Sequence, residues 1–466
     1  MNTRQYQLPQ QLVSTIFRAY DIRGLVGPEL NTDVFYVIGL AIGSEALECN
    51  QRDVIVGRDG RLSGPDLCTA LCDGILASGA NVVFIGQVPS PVMYFATHHL
   101  TSSTGVIVTG SHNPAAYNGL KIVLKGRTLA ADGIQKIYQR ICKREFHQGR
   151  GSLSSVDVVP AYLKCIQERV HLTKPLRIVI DCGNGVAAET APQLYRALGC
   201  EVTELYCEVD GNFPNHHPDP TVPENLKELL DKVQEIGADC GLAFDGDGDR
   251  LGLVTNQGEI IWPDRQMMLF AIDVLTRQPG AQIVFDVKCS SSLAKVIKDH
   301  GGEPLMWKTG HSLIKAKMAE IASPLAGEMS GHIFFKEGWF GFDDGVYVGA
   351  RLLEIISRDG RSVSEIFKNL PNSINTPELK LDMIDEKKQG FLEALAQQAD
   401  FGSAELITID GLRVEFGYGW GLIRASNTTP CLTLRFEADN LENLQKIKAI
   451  FRRELLKLDS GLQIPF

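Results

Sequence analysis

The sequence predicts an α/β protein: three related mixed α/β domains, then a smaller α+β domain. Two observations carry this reading. A strand–helix–glycine–strand pattern recurs three times in the first three quarters of the chain. After Pro371 that pattern stops, and β-rich segments lead into one long amphipathic helix.

The first copy opens at 53–59 (DVIVGRD), a β-branched run ending in charged residues, and closes past Ser78-Gly79 with a second strand at 82–85. The second copy runs from 177–181 (RIVID), past Leu198-Gly199, to 201–204. The third runs from 282–286 (QIVFD), past Gly301-Gly302, to 304–307. A helix returning the chain to a neighbouring strand is the β-α-β unit of a mixed or parallel sheet. Two further runs, 106–108 (VIV) and 240–244 (CGLAF), read as short buried strands. Residues 371–377 (PNSINTP) read as a linker, and Leu441, Leu444, Ile447, Phe451, Leu455 and Leu458 form a core-facing helical stripe. The expected domains are 1–156, 157–259, 260–371 and 372–466.

Composition narrows the class. With 44% hydrophobic and 22% charged residues the chain is an ordinary globular one. Its 46 basic and 56 acidic residues give a net charge of −10, which argues against nucleic acid as a partner but not against small anions met by local cations. There is no apolar leader and no run approaching a membrane span, so a cytoplasmic protein without membrane contact is expected. The 11 cysteines lack C-x-x-C pairs and read as reduced thiols, Cys68 and Cys72 as packing residues.

The chemistry concentrates in four loops. In 244–250 (FDGDGDR), Asp245, Asp247 and Asp249 alternate with glycines at the end of a predicted strand. Three carboxylates so spaced can converge on one hard cation, with a phosphate oxygen completing the shell. Arg250 adds a fixed positive charge. A solvated turn is the plainer reading. An EF-hand fails, because its positions 6 and 12 would be Arg250 and Asn256. Asp245 as a phosphate-accepting nucleophile stays open.

In 109–114 (TGSHNP), Ser111 stands on a sharp turn after a strand, with His112 beside it to shuttle protons or bind phosphate. An ordinary Ser/Asn/Pro turn is the alternative, and a Gly-x-Ser-x-Gly elbow is absent. In 327–332 (GEMSGH), Glu328 and Ser330 can hydrogen-bond sugar hydroxyls and His332 can exchange a proton. In 424–430 (RASNTTP), Arg424, Ser426, Asn427, Thr428 and Thr429 make a donor-rich nest suited to a phosphate dianion.

Those four loops occur in the order and spacing of the α-D-phosphohexomutases, which the chain resembles over nearly its whole length. GEMSGH, with FRAYDIRG at 17–24, is most similar to the bacterial phosphomannomutase/phosphoglucomutase branch, since phosphoglucosamine mutases typically carry Gln where Met329 stands. Gly110 stands where many relatives have Ala. The resemblance implies four domains around a central cleft and a reversible conversion of mannose or glucose 1-phosphate to the 6-phosphate through a hexose 1,6-bisphosphate. It implies Ser111 as the phosphoserine, and Mg²⁺ held by Asp245, Asp247 and Asp249 with an oxygen of the Ser111 phosphate. Glu328 and Ser330 would bind sugar hydroxyls, and the 424–429 loop the phosphate not in transfer. Tyr20, Arg23, Lys121, Arg250, Lys288, His311 and His332 would line the cleft, with Lys121 and His332 as proton carriers. Glucose 1,6-bisphosphate is the implied activator, phosphosugars the partners and a monomer the expected state. Phosphoglucosamine mutase, a metal-dependent sugar phosphatase and a non-catalytic calcium- or sugar-binding protein are the rivals.

Overall fold

The computed structural model describes residues 5–9, 12–426 and 430–466. Its first sheet takes the spatial order Ile22–Leu25, Tyr117–Leu124, Gly105–Val108, Asp53–Arg58, Asn81–Gln87 and Leu153–Ser155. The last four strands run parallel, while Tyr117–Leu124 is antiparallel to both of its neighbours. Gly105–Val108 is buried along its whole length, as a β-branched run sealed by helices on both faces should be.

The second and third sheets repeat this plan in shorter form. Glu201–Leu205, Arg177–Asp181 and Cys240–Phe244 are parallel, and Leu251–Thr255 folds back antiparallel. Likewise Glu303–Trp307, Gln282–Asp286 and Leu325–Gly327 are parallel, with Ile333–Phe335 antiparallel. In each case a strand at the parallel-to-antiparallel switch hands its chain to a loop at its C-terminal end, where α/β sheets place ligands. Ser111 follows Gly105–Val108, Asp245 follows Cys240–Phe244 and Glu328 follows Leu325–Gly327.

The fourth sheet is antiparallel, with Cys431–Ala438 and Gly419–Ala425 at its centre and the helix Leu441–Leu458 across it. Two sequence expectations need correction here. The expected linker 371–377 contains the strand Ile374–Asn375, which pairs with Cys431–Ala438, so the sheet begins inside it. Pro and Asn punctuate the segment, but its backbone still completes a sheet edge. In the final helix, Leu444, Ile447, Phe451 and Leu455 are buried, whereas Leu441, the first residue of the helix, is 59% exposed.

The cores explain how these units hold together. One continuous apolar cluster joins Ile55 and Val92 of the first unit, Ile178 and Leu242 of the second, and Phe285 and Leu352 of the third. The C-terminal unit has its own core, including Leu432, Phe436 and Phe451. Among the described residues a small apolar cluster, Val287 with Trp420 and Leu422, bridges it to the third. Trp420 is gripped by cations: the Arg413 guanidinium lies 3.8 Å and that of Arg435 5.8 Å from its ring centroid. Arg413 also donates to the carbonyls of Val287 (2.5 Å) and Cys289 (2.7 Å), the residues flanking Lys288. All 11 cysteines are free thiols. Among the described residues no helix is long and apolar enough to cross a membrane.

Candidate active site

A cleft of about 840 Å³ opens between the four units. Ser111, Lys121, Arg250, Lys288, Glu328 and Arg424 all reach it. It has two poles, a serine–carboxylate pole and a cationic pole toward the C-terminal unit.

At the first pole, two loops from different sheets meet. Ser111 adopts φ 47°, a left-handed conformation that costs a residue with a Cβ about 1–2 kcal/mol, so the surrounding contacts must hold it there. Its hydroxyl donates to Asp245 Oδ2 at 3.0 Å and lies 3.3 Å from His112 Nδ1. The other oxygen of Asp245 accepts the backbone N–H groups of Asp249 (3.1 Å) and Arg250 (3.2 Å), which curls the acidic loop onto itself. Gly246 allows the approach, since a Cβ there would lie 2.5 Å from the Ser111 carbonyl oxygen.

Asp245, Asp247 and Asp249 are wholly buried, and their ligand atoms lie within 4.8 Å of one another. Burial, then the charges of Asp247 and Asp249, pushes the Asp245 carboxyl well above its ordinary range. Burial and Asp247 push Asp249 up as well. At Asp247 burial is outweighed by Lys121 and by the Ser90 hydroxyl (2.5 Å), which hold its carboxyl below the usual range. Oδ1 of Asp247 and Oδ1 of Asp249 are buried without a hydrogen-bond partner among the described residues. Crowded acids with orphaned oxygens, facing a serine hydroxyl, fit a hard divalent cation.

Cations close the pole. Lys121 is 2% exposed and its ammonium donates to Asp247 Oδ2 at 2.6 Å and to Asp249 Oδ2. Burial works against that charge, but the two carboxylates prevail and hold its pKa well above normal. Arg23 donates to the Gly110 carbonyl and to Asn113 Oδ1, both at 2.5 Å. Arg250 donates from Nε to His332 Nε2 at 3.0 Å. Since Nε2 accepts, the His332 proton sits on Nδ1, which lies 3.0 Å from Asp343 Oδ2 and 3.5 Å from Asp249 Oδ1. Burial together with Arg250 and Arg23 keeps the His112 ring neutral at ordinary pH.

At the other pole, Glu328 is buried with one oxygen on the Gly310 N–H and the other accepting the Ser330 hydroxyl at 3.1 Å. Burial raises its carboxyl against the pull of His332 and Lys288. The Tyr20 hydroxyl donates to the Thr309 carbonyl at 2.8 Å, and its ring faces the His311 edge. Burial and the nearby Lys315 ammonium keep His311 neutral. Lys288 lies 3.4 Å from Glu378, and Arg424 lies 3.1 Å from Asp410, which also accepts the Thr309 N–H. Ser426 stands at the cleft edge, its carbonyl accepting Lys388 at 2.9 Å. Asn427, Thr428 and Thr429 lie outside the described residues.

Sequence reasoning missed several members. Asp343 is fully buried and anchors Lys315 (2.8 Å) as well as His332. Ser90 ties the first unit to the acidic loop, and Asp59 accepts the Gly110 N–H at 3.0 Å. Asp343 lies in a plain FDDG run. The 53–59 strand ends in Asp59, a charged strand end that could have drawn attention.

Comparison with known proteins agrees with this architecture. Models of phosphoglucomutase/phosphomannomutase alpha/beta/alpha domains I, II and III match residues 14–148, 160–258 and 262–374, and the C-terminal domain model matches 378–454. The chain is 56% identical over 455 residues to a phosphomannomutase/phosphoglucomutase of Pseudomonas aeruginosa, covering 98% of each protein. It is 53% identical over 442 residues to a phosphoglucomutase of Neisseria gonorrhoeae, covering 94% of this chain and 96% of that one. A phosphoglucomutase/phosphomannomutase family protein of Burkholderia thailandensis has a solved structure with TM-score 0.94 and 51% identity, covering 98% of this chain and all of the other. The chain therefore belongs to the phosphoglucomutase/phosphomannomutase family of α-D-phosphohexomutases.

Proposed function

We propose that this protein interconverts hexose 1-phosphates and hexose 6-phosphates of glucose and mannose by way of a phosphorylated Ser111. The observation that carries the proposal is the Ser111 hydroxyl held 3.0 Å from Asp245 at one pole of a cleft whose other pole carries Lys288 and Arg424. A substrate with one phosphate in transfer and one parked needs both poles, whereas simple hydrolysis needs only one.

The serine ester carries the phosphoryl group between turnovers. In the forward half-reaction the bond from phosphorus to Ser111 Oγ breaks as O6 of the hexose 1-phosphate bonds to phosphorus, and the O6 proton leaves. The resulting 1,6-bisphosphate turns over, the phosphoryl on O1 returns to Ser111 Oγ, and the 6-phosphate departs. Arg23, Lys121 and Arg250 surround the transferring group and oppose the charge that spreads over its oxygens. His112 and His332 are the imidazoles within reach of the reacting pole for proton traffic, while Lys121 is committed to two carboxylates. Magnesium on Asp245, Asp247 and Asp249 would supply Lewis-acid neutralisation of the phosphoryl oxygens. Glucose 1,6-bisphosphate would renew the phosphoserine when an intermediate escapes.

Glu328 and Ser330 supply acceptors and a donor for the sugar hydroxyls at the second pole. The separate core of the C-terminal unit suits a segment that rotates to admit and enclose the sugar. The protein works as a monomer in the cytoplasm, without nucleic acid or membrane.

The test supplies Mg²⁺, a trace of glucose 1,6-bisphosphate, and glucose 1-phosphate or mannose 1-phosphate separately. Both the 6-phosphate and inorganic phosphate are followed. Isomer from both sugars without phosphate release supports the mutase. Phosphate without isomer would replace it with a phosphatase, and turnover of glucosamine 1-phosphate alone would replace the substrate.

A further inference from the structure

Arg61 lies beneath the Ser111 loop, 1% exposed, and its guanidinium collects the backbone of that loop. Nη1 donates to the carbonyls of Pro114 (2.7 Å) and Tyr117 (2.9 Å). Nη2 donates to those of Ser111 (2.7 Å) and Asn113 (2.5 Å). Asp59 holds the arginine in place with an ion pair to Nε at 3.3 Å, and the same carboxylate oxygen accepts the Gly110 N–H at 3.0 Å. The Phe213 ring, from the second unit, covers the guanidinium at 5.3 Å from its centroid. Gly110 leaves room for all this, since a Cβ there would lie 2.1 Å from Nε.

We propose that Arg61 is a positioning residue for phosphoryl transfer: four carbonyls gathered on one guanidinium hold the 111–117 turn in the conformation that aims Ser111 at the acidic loop. The proposal rests on the reading of Ser111 as the phosphoryl carrier. Carbonyl oxygens brought together repel one another, and Ser111 occupies a left-handed φ of 47° that it would leave if released. A planar fork of five N–H donors satisfies several acceptors at once, and it stays charged. A lysine ammonium has three donors at one point and cannot span them. Arg61 touches no substrate. It acts through the backbone of the residue that does.

The full-length parent, Arg61→Lys and Arg61→Gly are compared, with folding followed by denaturant melts. Transfer from glucose 1,6-bisphosphate to Ser111 is read by intact mass, and kcat and KM are measured for glucose 1-phosphate. A misaimed nucleophile predicts a folded Arg61→Lys variant with kcat down roughly 100-fold, KM within about 3-fold of the parent, and Ser111 phosphorylation slowed in the same ratio. Millimolar guanidinium added to Arg61→Gly should restore part of both rates, because the missing fork is replaced. A folded Arg61→Lys with parental kcat and phosphorylation overturns the proposal. So does unfolding of both variants that guanidinium does not reverse, since the arginine would then hold the domain rather than aim the serine. If the parent itself takes no phosphoryl group on Ser111, the proposed function fails and takes this inference with it. Normal parental phosphorylation confines any failure to Arg61.

Discussion

The ammonium of Lys121 donates to Asp247 Oδ2 at 2.6 Å and to Asp249 Oδ2, so a cation from the first sheet neutralises the acidic loop of the second. Removing it leaves the buried carboxylates of Asp247 and Asp249 without the ammonium that both accept from. Lys121→Met should lower stability in the presence of EDTA by on the order of 3 kcal/mol, the usual cost of breaking one side of a buried ion pair. Mg²⁺ should recover part of that loss by occupying the same oxygens. Thermal melts with EDTA and with Mg²⁺ check this: an unchanged melt in EDTA would show that the pair carries no structural load.

Gly246→Ala should separate the two reacting loops. The added methyl carbon, its position fixed by the backbone, would sit 2.5 Å from the Ser111 carbonyl oxygen, itself a backbone atom, so neither can rotate away. A shift of about an ångström at a nucleophile costs on the order of 100-fold in rate. Steady-state kinetics should show kcat falling by at least about 10-fold with KM changed far less. Retention of parental kcat would mean that the loops need not meet as closely as they do here.

Much of the site was legible because its chemistry is local. Asp245, Asp247 and Asp249 lie on one short loop, and Ser111 and Glu328 each follow a strand whose β-branched or apolar run marks where the loop begins. The strand repeats were legible for the same reason. What stayed hidden depends on contacts between distant segments. Ser90 meets Asp247 across 157 positions of the chain, and nothing near Ser90 marks it. Arg61 binds backbone carbonyls, which leave no trace in side-chain identity. Periodicity also reports a face rather than depth, so Leu441 shares the stripe of Leu444 yet stands exposed at the first residue of the helix.

Asp344 makes stability depend on pH. It caps the helix Gly345–Arg358 through the Tyr347 N–H at 2.9 Å and accepts the Tyr162 hydroxyl at 2.8 Å, yet burial pushes its carboxyl up to about 7. A carboxyl pKa raised on folding means that the folded state binds the proton more tightly than the unfolded chain does. Its stabilising contribution is therefore complete below the unfolded value, near 4, and is lost as pH rises through about 7. The ceiling on this effect is roughly 4 kcal/mol. Asp344→Asn, which can still cap, should flatten the fall in stability between pH 5 and pH 8. Urea melts at both values test it, and parallel pH profiles for parent and variant would assign the dependence elsewhere.

Arg413 couples the C-terminal unit to Lys288 through the carbonyls of Val287 and Cys289. Arg413→Met should loosen the loop that carries the anchoring lysine without touching the serine pole. KM for the hexose 1-phosphate should rise by about 10-fold while kcat stays within about 3-fold, a loss of binding shared by ground and transition states. A fall in kcat at constant KM would instead place Arg413 in the transfer step.

The most direct test labels the carrier itself. The protein is incubated with Mg²⁺ and glucose 1,6-bisphosphate bearing radioactive phosphate, stripped of small molecules, and chased with unlabelled glucose 1-phosphate. The account expects one label per chain, resistant to acid and hydroxylamine as a serine ester is, mapping to Ser111, absent from Ser111→Ala, and leaving on sugar phosphate during the chase. Label that hydroxylamine releases and that maps to Asp245, or label that leaves as inorganic phosphate, would contradict it.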